Sequence, residues 1–311
     1  MKNINSDNLI NESYNRSKLA DTWSEENYNK YEFSNWNFHD YPLFNGRQTF
    51  DNLNQKIDGS ILEIGSAMGG AYRYLYHNKT LDKNSDYTGM DISKKGIDFC
   101  KKKYQEANWI QSDLTKHTFT KKYDYVFERI AVHHMESPLK VFSKLLEVTN
   151  KSFSCQFVSC LKGKTISDLK IARYRHEAGQ LVFFNIINLF EVIEIAIEKG
   201  FNKINIIYHG AHEKVGHNPV THQYLSPDIN IKKRMFGRCT LNISKLNQDK
   251  IEIALLNKRS KNDSTLKLKK LLFMADNSHR NYINYIINRI TSRGDLGGIL
   301  FTTNLKGEKY A

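Results

Sequence analysis

Two groups of residues that could do chemistry in this sequence each follow a short apolar run. Residues 60–64 lead into a turn that contains Gly65 and Gly69, and residues 87–91 end in Asp91. A nucleotide-like cofactor on an open α/β sheet needs a glycine turn that lets the backbone approach the ligand, and an acid that hydrogen-bonds the ribose diol. Each feature alone is common in proteins. Their order and separation together predict a site for such a cofactor.

Two further acids accompany the next apolar runs. Asp113 follows residues 109–111, and Glu128 follows residues 123–127. Short apolar runs that alternate with helical stretches indicate βαβ units and a parallel sheet. Because ligands of such sheets bind at the carboxyl ends of the strands, we expect the glycine turn, Asp91, Asp113 and Glu128 to share one edge.

These four motifs, in this order, resemble the class I S-adenosylmethionine-dependent methyltransferases over roughly residues 57–208. The first motif of that family reads acid-x-Gly-x-Gly-x-Gly, and here Glu63, Gly65 and Gly69 match it while Ala67 replaces the middle glycine. The resemblance implies a Rossmann-like, doubly wound α/β sheet that is mainly parallel. It also implies S-adenosyl-L-methionine as the cofactor.

The same resemblance implies a role for each motif. Glu63 would lie near the cofactor's ammonium, and the glycine turn would line its methionine part. Asp91 would accept the ribose hydroxyls and Asp113 the adenine amino group, while Glu128 would face the sulfonium with the residue after it. The implied cofactor set is Glu63, Gly65, Ser66, Ala67, Met68, Gly69, Asp91, Ile92, Asp113, Leu114, Glu128 and Arg129.

Two related enzyme classes fit the motifs less well. A dehydrogenase fingerprint, Gly-x-Gly-x-x-Gly, needs a glycine two positions after Gly65, where this chain has Ala67. Nucleic-acid amino-methyltransferases carry (Asp/Asn)-Pro-Pro-(Tyr/Phe) after the fourth strand. Residues 130–138 lack that motif and resemble instead the His-rich turn of small-molecule methyltransferases. The family's Leu-Lys-Pro-Gly-Gly turn before the fifth strand is replaced by residues 148–152.

His133 and His134 are the candidate catalytic residues. Methyl transfer from a sulfonium mainly requires alignment, and for a hydroxyl acceptor also the removal of a proton. Histidine titrates near neutral pH, so either residue is a candidate general base. The alternative is that both are structural residues of the turn with satisfied hydrogen bonds.

Three segments are candidates for the acceptor site. They are the aromatic N-terminal segment, the basic stretch around residue 173, and a long connection after residue 208 that we interpret as a lid. Arginine suits a carboxylate or phosphate because its guanidinium donates two parallel hydrogen bonds. The residues singled out are Trp36, Tyr41, Arg173, Tyr174, Arg175, His209, His222 and Tyr224. No histidine spacing there matches a metal motif, so no metal is predicted.

The composition narrows the class of protein. The chain has 311 residues, of which 40% are hydrophobic, and it carries a formal net charge of +13. That charge favours an anionic partner, although a lysine-rich codon bias would produce it too. No apolar run approaches the roughly 18 residues of a membrane span and no signal peptide is evident, which favours a cytoplasmic protein. The four cysteines form no CxxC pair and are expected to be buried thiols.

The expected elements are strands at residues 60–64, 87–91, 109–111, 123–127, 153–160 and 203–208. Helices are expected from Ser93, over residues 138–148 and, as a long amphipathic helix, over residues 181–199. Residues 238–243 and 251–256 read as a closing antiparallel hairpin. The predicted organisation is a substrate-side cap (1–56), a methyltransferase domain (57–257, with an insertion at 209–235) and a C-terminal helical addition (258–311).

The leading functional hypothesis is methyl transfer to an O or N nucleophile of a small, anionic metabolite such as a modified sugar or natural-product precursor. An RNA methyltransferase is the alternative that the net charge favours, although no RNA-binding module is recognisable and nucleic acid is therefore a disfavoured partner. A non-catalytic scaffold with the same fold is the third, because fold alone does not fix function. The sequence predicts no oligomeric state.

Overall fold

A computed structural model describes residues 57–77, 81–82, 85–129, 131–175, 181–208, 216–217, 223–226, 229, 237–246, 251–255 and 300–302. Four of the predicted acceptor residues, Trp36, Tyr41, His209 and His222, lie outside the described residues. The predicted N-terminal cap and most of the predicted C-terminal addition do so as well. Residues Leu300–Thr302 of that addition form a strand, so the prediction of a helical addition is wrong for those three residues.

The described helices are α1 (Gly70–His77), α2 (Lys94–Lys103), α3 (Pro138–Glu147) and α4 (Leu189–Glu198), with a 3₁₀ turn at Val132–His134. The strands up to the last helix are β1 (Ser60–Ile64), β2 (Asp86–Asp91), β3 (Asn108–Gln111), β4 (Tyr123–Arg129), β5 (Thr149–Cys160), β6 (Ala172–Arg175), β7 (Leu181–Phe183) and β8 (Ile187–Asn188). The later strands are β9 (Lys203–Tyr208), β10 (Gly216–His217), β11 (Gln223–Leu225), β12 (Gly237–Ser244), β13 (Glu252–Leu255) and β14 (Leu300–Thr302).

The large sheet has the order β14-β13-β9-β12-β5-β4-β1-β2-β3, with β8 beside β5. Strands β1 to β5 run parallel to one another. The chain winds outward from β1 to β2 and β3, and then returns to place β4 on the other side of β1. The doubly wound α/β fold is thereby confirmed. The crevice at this reversal, at the carboxyl ends of the strands, is where such sheets bind ligands.

The closing strands pair differently from the prediction. Strand β12 lies between β5 and β9 and is antiparallel to both. Strand β13 pairs with β9 in parallel and does not pair with β12. Both strands exist as predicted, and β12 does enter antiparallel, but the predicted hairpin between them is wrong. A short connection usually places two strands side by side. Here β12 pairs with β5 and β9 instead of with β13.

The predicted long helix over residues 181–199 is also wrong in its first half. Residues 181–188 form β7, β8 and the link between them, and the helix begins only at Leu189. Asn188 begins it by capping, because its Oδ1 accepts the backbone N–H groups of Phe190 (2.8 Å) and Glu191 (3.1 Å). Every residue from 181 to 190 is buried, so its apolar pattern does not separate strand from helix.

A second, antiparallel sheet has the order β10-β11-β6-β7. None of its strands is among those expected from the sequence. In it β6 pairs with both β7 and β11, so residues far apart in the chain come together. We call it the small sheet.

The core covers both faces of the large sheet. On one face α3 and α4 pack against residues such as Leu62, Val126 and Phe153. On the other face α1 and α2 pack against Ile61, Tyr87 and Trp109. The four cysteines are free and buried, as predicted. Within the described ranges, no helix has the length and apolar character needed to cross a membrane.

Candidate active site

The glycine turn lies against the carboxyl end of β2. The backbone N–H groups of Gly65 and Ser66 both donate to the Met90 carbonyl, at 2.8 and 3.1 Å. Strand β1 lies between β2 and β4, so this turn stands at the reversal of strand order. The structure therefore places the first predicted motif at the expected edge.

Left-handed backbone shapes this turn. Gly65 has φ +71°, Gly69 has φ +73°, and Ala67, which replaces the family's middle glycine, has φ +47°. A Cβ at Gly65 would come within 2.6 Å of the Ala131 Cβ, which is far inside contact distance. Ser66 Oγ is buried in the same turn with no hydrogen-bond partner among the described residues. The turn thus has the open backbone that a cofactor's methionine part requires.

Asp91, the last residue of β2, hydrogen-bonds the backbone of the turn. Its Oδ2 accepts the backbone N–H of Ala67 and its Oδ1 accepts that of Ser93, each at 2.8 Å. Burial raises the pKa of this carboxyl, and the hydrogen bonds from Ser93, Ala67 and Ile92 oppose that rise. No sequence motif reveals these two bonds. They make Asp91 a support of the turn as well as a candidate ribose ligand.

Two of the other predicted acids, Glu63 and Asp113, already have local hydrogen-bond partners. Glu63 is buried, and its Oε2 accepts a hydrogen bond from the hydroxyl of Tyr87. Asp113 Oδ1 accepts the backbone N–H (2.9 Å) and hydroxyl (2.6 Å) of Thr115, which closes the turn after β3. Leu114, the next residue, is buried.

Glu128 stands near the carboxyl end of β4, opposite Ile64 of β1. It is fully buried, and its Oε2 accepts the backbone N–H of Val132 at 3.1 Å. This bond ties the end of β4 to the histidine turn, which we define as residues 131–135. The side chain of Arg129 lies outside what the structure describes.

The two histidines occupy different environments. His133 is 1% exposed, and its ring packs edge-on against Phe184 with the centroids 4.3 Å apart. His134 is half-buried, and its Nδ1 lies 2.8 Å from the Phe183 carbonyl oxygen. A carbonyl only accepts hydrogen bonds, so Nδ1 of His134 carries the proton. In the neutral ring the lone pair therefore lies on Nε2, as a general base requires.

Asn185 is a residue of this site that sequence analysis missed. Its backbone N–H donates to the His133 carbonyl at 2.9 Å. Its side-chain Nδ2 donates to the carbonyls of Met135 (2.5 Å) and Val132 (3.3 Å). No local motif marks it, because these partners are about fifty residues away in the chain.

Three predicted acceptor residues meet on the small sheet. Arg173 lies opposite Tyr224 across the β6–β11 pair, and its guanidinium carbon stands 4.0 Å from the centre of the Tyr224 ring. The guanidinium Nη1 also donates to the Leu169 carbonyl at 3.1 Å. The ring of Tyr174 lies 5.9 Å from that of His134, which joins this surface to the histidine turn. For Arg175 the structure describes the backbone in β6 only.

Metal chemistry has no candidate site in the described ranges. No group of three or more His, Cys, Asp or Glu side chains there could hold a metal ion.

Part of the chain matches a known protein family. Residues 62–152 match a family model described as a methyltransferase domain. The match spans β1 to the start of β5 and so includes the glycine turn, Asp91 and the histidine turn. No curated protein matches the sequence.

Several solved structures resemble the chain weakly. Magnesium protoporphyrin IX methyltransferase from Synechocystis PCC 6803, with bound S-adenosylmethionine, is 14% identical over 74% of this chain and 96% of that one (TM-score 0.44). The N-terminal domain of EvdMO1, with S-adenosylhomocysteine and D-fucose, is 10% identical over 66% and 83% (TM-score 0.46). The [4+2]-cyclase SpnF is 14% identical over 64% and 80% (TM-score 0.41).

The family match and the sheet order carry the assignment. Over residues 62–152 the chain contains a methyltransferase domain. Its strands have the order of a doubly wound α/β fold, and such a domain implies S-adenosylmethionine as the cofactor. The fold, the family and the cofactor predicted from the sequence are thereby confirmed.

Proposed function

We propose that the protein transfers a methyl group from S-adenosylmethionine to an oxygen or nitrogen of a small, anionic acceptor. The observation that carries this proposal is the geometry of His134, whose Nδ1 donates to the Phe183 carbonyl. That bond leaves the lone pair of the neutral ring on Nε2. It also gives the site a proton acceptor in the histidine turn, whose Ala131 lies against Gly65, and next to Tyr174 of the small sheet.

In this proposal the carboxyl edge of β1 to β4 would hold the cofactor. Residues 65–69 would line its methionine part, and Glu63 and Glu128 would lie near its ammonium and sulfonium. Asp91 would accept the ribose hydroxyls with the lone pairs that it does not use to hold Ala67 and Ser93. The turn at Asp113 would hold the adenine, and Leu114 would pack against the ring.

The cofactor supplies an electrophilic methyl group whose bonding electrons stay on the sulfur when the methyl group leaves. The protein's part is to align the acceptor atom with the methyl group and to take up the acceptor's proton. Nε2 of His134 accepts that proton. The Phe183 carbonyl then stabilises the resulting imidazolium through its bond to Nδ1. His133 is too deeply buried against Phe184 for this role, and it acts as packing beneath the turn.

The small sheet forms one wall of the acceptor site. Tyr174 lies beside His134, and the guanidinium of Arg173 lies over the ring of Tyr224. An arginine fixed in this way presents its charge in a constant orientation, which suits a carboxylate or phosphate on the acceptor. The net charge of +13 favours the same class of ligand.

The test measures methyl transfer from labelled S-adenosylmethionine to a panel of small hydroxy and amino compounds that carry carboxylate or phosphate groups. Total RNA is tested in parallel. We expect label in the small-molecule panel, and we expect His134→Gln to slow transfer by about 100- to 10,000-fold without weakening the binding of S-adenosylhomocysteine. Label in RNA alone would overturn the acceptor class. An unchanged rate in His134→Gln would overturn the general base.

A further inference from the structure

Three consecutive residues, from the last residue of β7 into its link with β8, hold the histidine turn. The Phe183 carbonyl accepts the Nδ1 proton of His134, and the Phe184 ring packs against His133. Asn185 then binds the backbone of the turn. The turn therefore does not stand alone after β4, since a segment about fifty residues later determines its position.

Asn185 makes most of the polar contacts between this segment and the histidine turn. Its backbone N–H donates to the His133 carbonyl, and its Nδ2 donates to the carbonyls of Val132 and Met135. All three acceptors belong to the histidine turn and flank His134. One side chain thus fixes the backbone on both sides of the proposed base.

The side-chain amide of Asn185 lowers the stability of the folded state, which indicates that it has a role other than stability. Asn185 is fully buried, and its Oδ1 has no hydrogen-bond partner among the described residues. A buried unsatisfied acceptor destabilises the folded state. The amide is nevertheless placed where its two N–H groups meet two carbonyls of the turn that carries His134.

We propose that Asn185 is a positioning residue for methyl transfer. It holds the histidine turn at the distance from β7 at which His134 Nδ1 reaches the Phe183 carbonyl, and so it fixes the tautomer that leaves Nε2 basic. This inference rests on the proposed role of His134. It extends to the acceptor wall, because β7 pairs with β6 and places Phe183 opposite Arg173. The small sheet and the proposed base therefore form one unit.

The tautomer of His134 gives a direct test that needs no acceptor. Histidine ring nitrogens are labelled in the full chain, and the His134 signals are assigned by their loss in His134→Gln. We expect the wild-type ring to show a protonated Nδ1 and an unprotonated Nε2 at a pH where the ring is neutral. In Asn185→Ala we expect that signature to give way to a tautomer mixture, with unchanged affinity for S-adenosylhomocysteine.

Asn188→Ala is the matched control. Asn188 is an equally buried asparagine three residues later, but its side chain caps α4 and donates to the Gly163 carbonyl. We expect Asn188→Ala to lower the melting temperature and to leave the His134 signature intact. If Asn185→Ala does not fold, the His134 tautomer is measured in Asn185→Ser, which keeps a smaller hydrogen-bonding side chain. The same tautomer mixture is expected there.

The outcomes separate this inference from the proposed function. An unchanged His134 tautomer in folded Asn185→Ala or Asn185→Ser would overturn the positioning role. Loss of the signature in Asn188→Ala as well would also overturn it, because the effect would then be general loosening. An unchanged rate of methyl transfer in His134→Gln would instead refute the general base, whatever the tautomer shows.

Discussion

Substitution of Gly65 by alanine tests whether the glycine turn is built as the structure shows. Two costs add at this position. The backbone has φ +71°, and a left-handed conformation costs an alanine about 1–2 kcal/mol. The new Cβ would also lie 2.6 Å from the Ala131 Cβ. Overpacking of this kind costs about 1–3 kcal/mol, so the sum is about 2–5 kcal/mol of unfolding free energy.

Gly200 offers a matched control for the first cost. It has φ +80°, and a Cβ there would meet nothing within 4 Å. Gly200→Ala should therefore cost only the left-handed term of about 1–2 kcal/mol. The difference between the two variants isolates the overlap with Ala131.

Urea denaturation of both variants measures these costs, provided that the dependence on urea concentration stays the same. The double variant Gly65→Ala/Ala131→Gly removes the overlap and should be more stable than Gly65→Ala alone. A Gly65→Ala variant no less stable than Gly200→Ala would refute the reasoning. So would a double variant whose cost is the plain sum of the two single ones.

Two further predictions concern the same edge of the sheet. Ala67→Gly should raise the unfolding free energy by about 0.5 kcal/mol, since relief at φ +47° exceeds the entropy that glycine gains in the unfolded chain; a clear loss in urea denaturation would contradict it. Burial and, secondly, Lys144 lower the pKa of His117 from its ordinary 6.5. Protonation therefore favours the unfolded chain, and this contribution to stability is complete above pH 6.5 and lost as the pH falls below it. Wild type should lose melting temperature relative to His117→Gln between pH 7.5 and 5.5, and parallel curves would refute this.

The parts of the fold that sequence predicted are those with local signals. A few neighbouring residues are enough to recognise the glycine turn, the acid at Asp91 and the serine before α2. Ser93 does cap α2, because its hydroxyl accepts the backbone N–H of Gly96. Positive φ at Ala67 is also consistent with its place as the family's middle glycine.

The parts that sequence missed depend on contacts between distant residues. The segment before Asn188 is buried throughout, so neither helical nor strand periodicity is visible in it. Strand β12 pairs with β5 and β9 and not with β13, the next strand in the sequence, and no local pattern reveals this pairing. The hydrogen bond from His134 to Phe183 and those from Asn185 to the histidine turn are equally invisible, although they distinguish His134 from His133.

The binding of S-adenosylhomocysteine to wild type, Asp91→Ala and Asp86→Ala tests the central claim most directly. The two acids lie at opposite ends of β2, and the side chain of Asp86 hydrogen-bonds the exposed side chains of Lys121 and Asn108. Calorimetry should show binding by wild type and Asp86→Ala alike, and a loss of at least about 10- to 100-fold in folded Asp91→Ala, since each lost bond to a charged group is worth about 1.5–3 kcal/mol. Equal affinity in Asp91→Ala, or no binding by wild type, would contradict a cofactor site at the carboxyl edge of the sheet.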